Sequence, residues 1–334
     1  MKESAKDKCL FADVLGSLYA PVRAELQEVE QLLEQQLVNR HAFVEEVSRH
    51  GFRLGGKRLR PALVLLSGKA VGQLKREHTV LAAAMEMIHT ATLIHDDVLD
   101  EATLRRHLQT VNARWNNETS VLLGDFLLAR AMSLALSVDD LFAARTIAQA
   151  AHQMCEGELR QVACRGNYDL TEQEYLDIIA DKTGALTACC CRLGAYFAGA
   201  DGQLLEAMTR FGSQLGIAFQ IADDLLDLLG EESVVGKSLG SDLAKQKATL
   251  PVIRLLGQLS ASQRGEVVSL LASAGDNRRA VLRPWLERFD VICYARQRAT
   301  HYARLACAEL ERLPPTPVRD TFEQLSQFVV NRQQ

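Results

Sequence analysis

The sequence predicts an all-α protein, and three observations carry that reading. Of seven prolines, none falls between Pro61 and Pro251, so the commonest helix breaker is missing from most of the chain. Leu and Ala dominate that stretch, while Val, Ile and Thr do not cluster there and no alternating run reads as a strand. No linker-like composition and no tandem repeat interrupts the 334 residues, so they read as one domain, 1–334.

The elements follow in order. Phe11, Val14, Leu15, Leu18, Val22, Leu26, Val29 and Leu33 recur at helical spacing over 10–37, with a break near Pro21. A short helix is expected over 40–49. Gly55-Gly56 makes a turn, and Pro61 suits the first turn of the next helix. Lys57, Arg58 and Arg60 stand at that helix start, where free N–H groups also favour anions; a solvated basic loop is the alternative. Helices are expected over 78–100 and 118–136, then after Asp139 as a cap, then from the Thr171/Glu174 capping box. Lys182-Thr183-Gly184 interrupts the last of these and predicts a kink that exposes backbone beside a lysine and a hydroxyl. A long helix is expected over 203–229. Gly230 to Gln246 is loop-like and reads as a lid, with Lys237 and Lys247 as its reaching cations. Helices resume at Thr249-Leu250-Pro251, near Ser260 and over 277–312, and Pro314-Pro315 sets off a last short one.

Bulk properties exclude several classes. A net charge of -4 gives no global attraction to nucleic acid, so any anion site is local. The N-terminal residues carry mixed charge without the apolar core of a signal peptide, and no apolar run reaches the length of a membrane span. None of the eight cysteines forms a CxxC pair, and Cys189-Cys190-Cys191 points three ways round a helix. They read as small buried residues of a cytoplasmic protein.

The chemistry concentrates in two acidic clusters. Asp96 and Asp100 are four residues apart, one turn apart on one helix face, with Asp97 beside them. Like charges at that spacing repel, so the cluster calls for a cation. Hard oxygen ligands favour Mg²⁺, which shares its shell with substrate phosphates. Arg105 and Arg106 follow, and paired guanidiniums suit phosphate oxygens. Alone, this is equally a solvated helix end. The same spacing recurs at Asp223-Asp224-Leu225-Leu226-Asp227, again ending an apolar helical run. Two such clusters facing each other would cage metal ions and one diphosphate.

These motifs together resemble the trans-prenyltransferases, the head-to-tail isoprenyl diphosphate synthases, and most of all the bacterial long-chain members. The pattern GGKRLRP stands as Gly55 to Pro61, DDxxDxxxxRR as Asp96 to Arg106, and GD as Gly124-Asp125. EGE…Q stands as Glu156 to Gln161, KTG as Lys182 to Gly184, and FQxxDDxxD as Phe219 to Asp227. GKxxGxDL stands as Gly236 to Leu243 and KxTLP as Lys247 to Pro251. Two positions depart from the family pattern: His107 and Gln246 stand where glycine is usual.

The resemblance implies a large helix bundle around a deep central cavity, a homodimer, and about three Mg²⁺ ions. It implies that isopentenyl diphosphate is condensed onto an allylic diphosphate. Asp96, Asp100 and Asp223 would bind metal, with Asp97 and Asp227 nearby or through water. Arg105, Lys182, Thr183, Gln220, Lys237 and Lys247 would hold the allylic diphosphate. Lys57, Arg60, His89 and Arg106 would hold isopentenyl diphosphate. His89, taken alone, equally fits a satisfied core histidine.

An apolar shaft would measure the product. Ala91 and Thr92, five and four residues before Asp96, are small, with Ile88 and Met85 deeper and Met132 on the next helix. No aromatic floors the shaft there, which by resemblance implies a long product, about C30 to C50, for quinone side chains. Short-chain synthesis and a non-catalytic or partner-subunit role are the alternatives. Peripheral membrane contact is expected only for product release.

Overall fold

A computed structural model describes residues 14–54, 56–230, 240–273 and 278–331. Lys237 and most of the expected lid lie outside the described residues. The chain forms α1 (Arg23–Leu37), α2 (Ala42–Arg53), α3 (Leu59–Val71) and α4 (Arg76–Leu99). A small hairpin, β1 (Leu104–Arg105) and β2 (Leu108–Gln109), and a single helical turn lead to α5 (Asn117–Leu136) and α6 (Leu141–Ala163). Then come α7 (Glu172–Ile179), a π-helical turn (Ala180–Gly184), α8 (Ala185–Phe197) and α9 (Gly202–Leu229). After a turn at Ser241–Ala244 come α10 (Leu250–Leu256), α11 (Ala261–Ala272), α12 (Arg278–Arg288), α13 (Val291–Glu309) and α14 (Pro317–Asn331).

The architecture is the all-α bundle the sequence predicts. Helices α3 and α4 are its centre. Ala62 to Leu66 have no exposed surface, nor do Leu81 to Met85. A helix apolar on every side must be surrounded, and α3 packs against α4 and α8 while α4 packs against α5 and α1. The α3–α8 contact requires Gly194, where a Cβ would come within 2.2 Å of the Val64 carbonyl oxygen. On the other side α9 packs against α8 and α13. Phe322 of α14 stacks edge-on with Phe211 of α9 at 4.8 Å, which ties the C-terminal helix to the core.

Several local expectations hold. Thr171 and Glu174 form the capping box, Ser260 caps α11, and the kink at Lys182-Thr183-Gly184 is the π-helical turn. Others are corrected. The cap of α6 is Asp140, whose side chain accepts from the Ala143 N–H, while Asp139 takes a left-handed conformation. The expected helix over 277–312 breaks at Phe289-Asp290, because Asp290 has a φ of 49° and cannot continue α12.

The hairpin explains one departure from the family pattern. Its two turn residues, Arg106 and His107, have φ of 53° and 64°, as a two-residue hairpin turn demands. Gln246 has a φ of 55°. Both positions need a left-handed backbone that glycine adopts freely, and this chain fills them with larger side chains.

Candidate active site

One cavity of about 970 Å³ lies between α4, α6, α9 and α14. It is lined by Lys57, Arg60, His89, Thr92, Asp96, Asp100, Arg105, Arg106, Lys182, Thr183, Gln220, Asp223 and Lys247, thirteen residues singled out from the sequence. Residues from six separate stretches therefore meet at one place.

Both acidic clusters sit in the last turns of long helices, and neither α4 nor α9 has a basic residue in its last turn. A helix C-terminus already carries partial negative charge, so carboxylates there oppose the macrodipole. Asp96 opens onto the cavity and is half-buried. Burial pushes its pKa up to about 6, Glu158 and Asp100 add to the rise, and Lys182 opposes it. Two acid arrays placed against the helix dipole in a desolvated cavity fit a divalent cation with hard oxygen ligands. Among the described residues no three acidic, histidine or cysteine side chains already converge on one point, so the arrays are open.

The cations are held in place. Lys247 reaches both Asp100 (3.5 Å) and Asp242 (3.3 Å), linking the end of α4 to the segment after α9. Lys182 pairs with Glu158 of α6. That pairing depends on Gly157, where a Cβ would come within 2.6 Å of the Lys182 backbone nitrogen and push the π-turn away. Thr183 donates to the Gln220 amide oxygen (2.7 Å), Gln220 donates to Asp224 (2.8 Å), and the Tyr175 hydroxyl donates to the same carboxylate (2.7 Å). This chain of bonds locks the π-turn to α9. Burial and the nearby Asp242 raise the Asp224 pKa.

At the other end, Arg60 lies 5.6 Å over the Phe219 ring. Burial and the nearby Arg60, Arg105 and Arg106 hold His89 well below the usual histidine pKa, so it is neutral at pH 7. A neutral imidazole still donates one N–H. Apolar side chains complete the wall: Leu15, Leu93, Met154, Leu186, Phe219 and Phe328 among them.

Four expectations are revised. Asp97 is only 2% exposed and does not line the cavity; its carboxylate holds the Arg105 guanidinium at 2.8 and 2.9 Å. Asp227 also lies off the cavity wall and accepts from the Ser241 hydroxyl (3.0 Å) and the Asp242 N–H (3.1 Å). Ala91 and Ile88 pack into the core, so of the three expected length-setting residues only Thr92 faces the cavity. The reason is angular: Ala91 and Ile88 lie on the α4 faces that meet neighbouring helices.

The sequence reading missed Tyr175, Asp224 and Asp242, and the contributions of Leu325, Phe328 and Val329 from α14. Asp224 was visible as the middle acid of its motif. The α14 side chains had no signal, since they are ordinary apolar positions brought in from far along the chain.

The helical bundle around this cavity has the isoprenoid synthase fold, and its paired acid arrays and cations suit a metal-bound polyanion. The chain belongs to the polyprenyl synthetase family, whose model matches residues 41–286, and is a prenyltransferase. It is 35% identical over 321 residues to the all-trans-nonaprenyl-diphosphate synthase (geranyl-diphosphate specific) of Rhodobacter capsulatus, covering 96% of this chain and 98% of that one. It is 34% identical over 290 residues to the short chain isoprenyl diphosphate synthase of Methanothermobacter thermautotrophicus, covering 86% and 89%. Its fold is similar to that of the polyprenyl synthase of Caulobacter crescentus CB15 complexed with calcium and isoprenyl diphosphate. The TM-score there is 0.90 at 33% identity, over 97% of this chain and 98% of that one.

Proposed function

We propose that this chain is a long-chain polyprenyl diphosphate synthase, extending an allylic diphosphate with isopentenyl diphosphate to about C30 to C50. The observation that carries the reading is the meeting of Asp96, Asp100 and Asp223 with Arg105, Lys182 and Lys247 in one cavity. The similarity to a nonaprenyl-diphosphate synthase over nearly the full chain supports the long product.

The chemistry follows from charge. An allylic C–O bond ionises only when the departing diphosphate is neutralised, and groups aimed at that developing charge supply the main electrostatic effect. Arg105, Lys182 and Lys247, with Thr183 and Gln220 beside them, hold the allylic diphosphate and receive that charge; Lys237, expected in the same role from its motif, lies outside the described residues. Lys57, Arg60, Arg106 and neutral His89 hold isopentenyl diphosphate, whose double bond attacks the allylic carbon. A proton then leaves the new chain, with the released diphosphate as its acceptor. The apolar wall keeps water from capturing the cation.

Asp96, Asp100 and Asp223 would hold Mg²⁺, about three ions in all. Bound there, the metal adds positive charge against the diphosphate oxygens. Asp97 and Asp227 act one step back, through Arg105 and through the turn at Ser241.

The assembly is a homodimer in this reading. Leu122, Leu136 and Leu141 are each more than 60% exposed, on α5 and at the start of α6. Against the expectation from the sequence that no run reaches the length of a membrane span, α5 is long and apolar enough to cross a membrane by length and composition; it packs along α4, and its exposed face suits a second protein surface. The free cysteines among the described residues suit a reducing compartment, the cytoplasm.

Purified protein supplied with Mg²⁺, labelled isopentenyl diphosphate and C5 to C20 allylic starters tests the proposal. A ladder of products ending at a defined long chain is expected. A stop at C15 or C20 would leave a short-chain synthase. No incorporation with any starter would leave a partner subunit or a binding role.

A further inference from the structure

Behind the cavity end lined by Lys57, Arg60, His89 and Arg106 lies a carboxylate that no motif singles out. Glu86 stands on α4, three residues before His89, and is fully buried. Its Oε1 accepts a 2.9 Å bond from Arg58 Nη1, while its Oε2 is buried without a partner. The remaining guanidinium nitrogens of Arg58 pair with Glu30 of α1, nearer the surface. Arg58 is thus clamped from two sides. It does not line the cavity, whereas Lys57 and Arg60, its neighbours in sequence, do.

Arg58 is also the left-handed residue, with φ of 56°, that opens α3. Such a backbone is unfavourable for a long side chain and persists only where the surroundings hold it. Glu86 supplies that hold from the buried side and Glu30 from the surface side. Its Oε1 lies 3.6 Å from where a Cβ on Gly56 would stand, directly beneath the turn. Glu86 is also the acid that most strongly opposes the effect of burial on Arg60, and it acts the same way on Arg106. A desolvated carboxylate beside an anion subsite also repels the ligand, so its charge alone gives a mixed return, and the hold on Arg58 is the effect that favours binding.

We propose that Glu86 is a positioning residue of the isopentenyl diphosphate subsite: by holding Arg58 it fixes the turn that aims Lys57 and Arg60 into the cavity. The inference rests on reading this cavity end as the isopentenyl subsite.

The test is Glu86→Gln, with Arg58→Gln as a second variant on a partly exposed residue that tolerates change better. Steady-state constants for each substrate are measured with thermal unfolding alongside. Turning the charge-assisted bond into a neutral one in Glu86→Gln, or leaving Glu86 buried without its partner in Arg58→Gln, is expected to raise KM for isopentenyl diphosphate about 10-fold or more, while KM for the allylic diphosphate and kcat stay within about twofold. Glu86→Asp, which keeps the charge, recovers part of the loss. The double variant is no worse than Arg58→Gln alone, because Arg58→Gln already removes the Glu86 bond along with the two to Glu30. A KM for isopentenyl diphosphate that is unchanged or lowered would show that only the field of Glu86 matters and would overturn the proposal. An equal rise in both KM values would reduce it to general structural damage. Wild-type protein that binds no isopentenyl diphosphate at all would overturn the reading of the cavity itself.

Discussion

Replacing Thr92 by phenylalanine should shorten the product, whereas the same change at Ala91 should damage the fold. Thr92 lines the cavity four residues before Asp96, and thus about 6 Å deeper along α4. One prenyl unit adds four chain carbons, roughly 5 Å at carbon–carbon bond lengths near 1.5 Å. An aromatic ring at Thr92 therefore stands about one unit beyond the acid cluster, and a growing chain passes it only by bending. Products of about C20 or shorter should replace the long ladder, with turnover of a short starter largely kept. Ala91 is 2% exposed and packed into the core, so a ring there should cost about 1–3 kcal/mol or more through overpacking. The assay is chromatography of dephosphorylated products, with urea unfolding of both variants. A Thr92→Phe enzyme that still makes the full-length chain would refute the placement of the shaft. So would an Ala91→Phe enzyme that is fully stable yet shortens its product.

Other perturbations separate residues that the motifs treat alike. Asp96→Asn should lower kcat by about 10²–10³-fold, as expected when a group facing developing charge is lost. Asp97→Asn should act through Arg105, raising KM for the allylic diphosphate about 10-fold, and steady-state kinetics on both variants would show the split. Gln246→Val should destabilise the protein by about 1 kcal/mol or more because a β-branched residue resists a φ of 55°, whereas Gln246→Gly should not; denaturant unfolding decides. Gly124→Ala would place a Cβ 2.1 Å from the His95 ring, so it should both lower thermal stability and impair turnover by displacing the end of α4. Chelation of divalent cations should abolish incorporation of isopentenyl diphosphate, and added Mg²⁺ should restore it.

Much of this site was legible in the sequence because its signals are local. Acid pairs at i and i+4, a glycine pair before a basic helix start and a Lys-Thr-Gly interruption each state their chemistry within a few residues. What the sequence left open was direction. Neighbours such as Asp96 and Asp97 point about 100° apart on a helix, and one faces the cavity while the other grips Arg105. The same ambiguity separated Thr92 from Ala91. Long-range contributions were silent for a different reason. Phe328 looks like any apolar helix residue, and only the packing of α14 on α9 brings it to the cavity. His107 and Gln246 are departures that sequence alone could not interpret. Their positive φ angles show that the turns are retained at some conformational cost.

In the proposed function the two acid arrays, at the ends of α4 and α9, work as one metal–diphosphate site. Anomalous diffraction from crystals grown with Mn²⁺ and an unreactive allylic thiodiphosphate tests it most directly. Metal peaks bound by Asp96 and Asp100 on one side and Asp223 on the other are expected, with the diphosphate between them against Arg105, Lys182 and Lys247. Metal bound elsewhere, or diphosphate seated in the cavity without contact to either array, would contradict it.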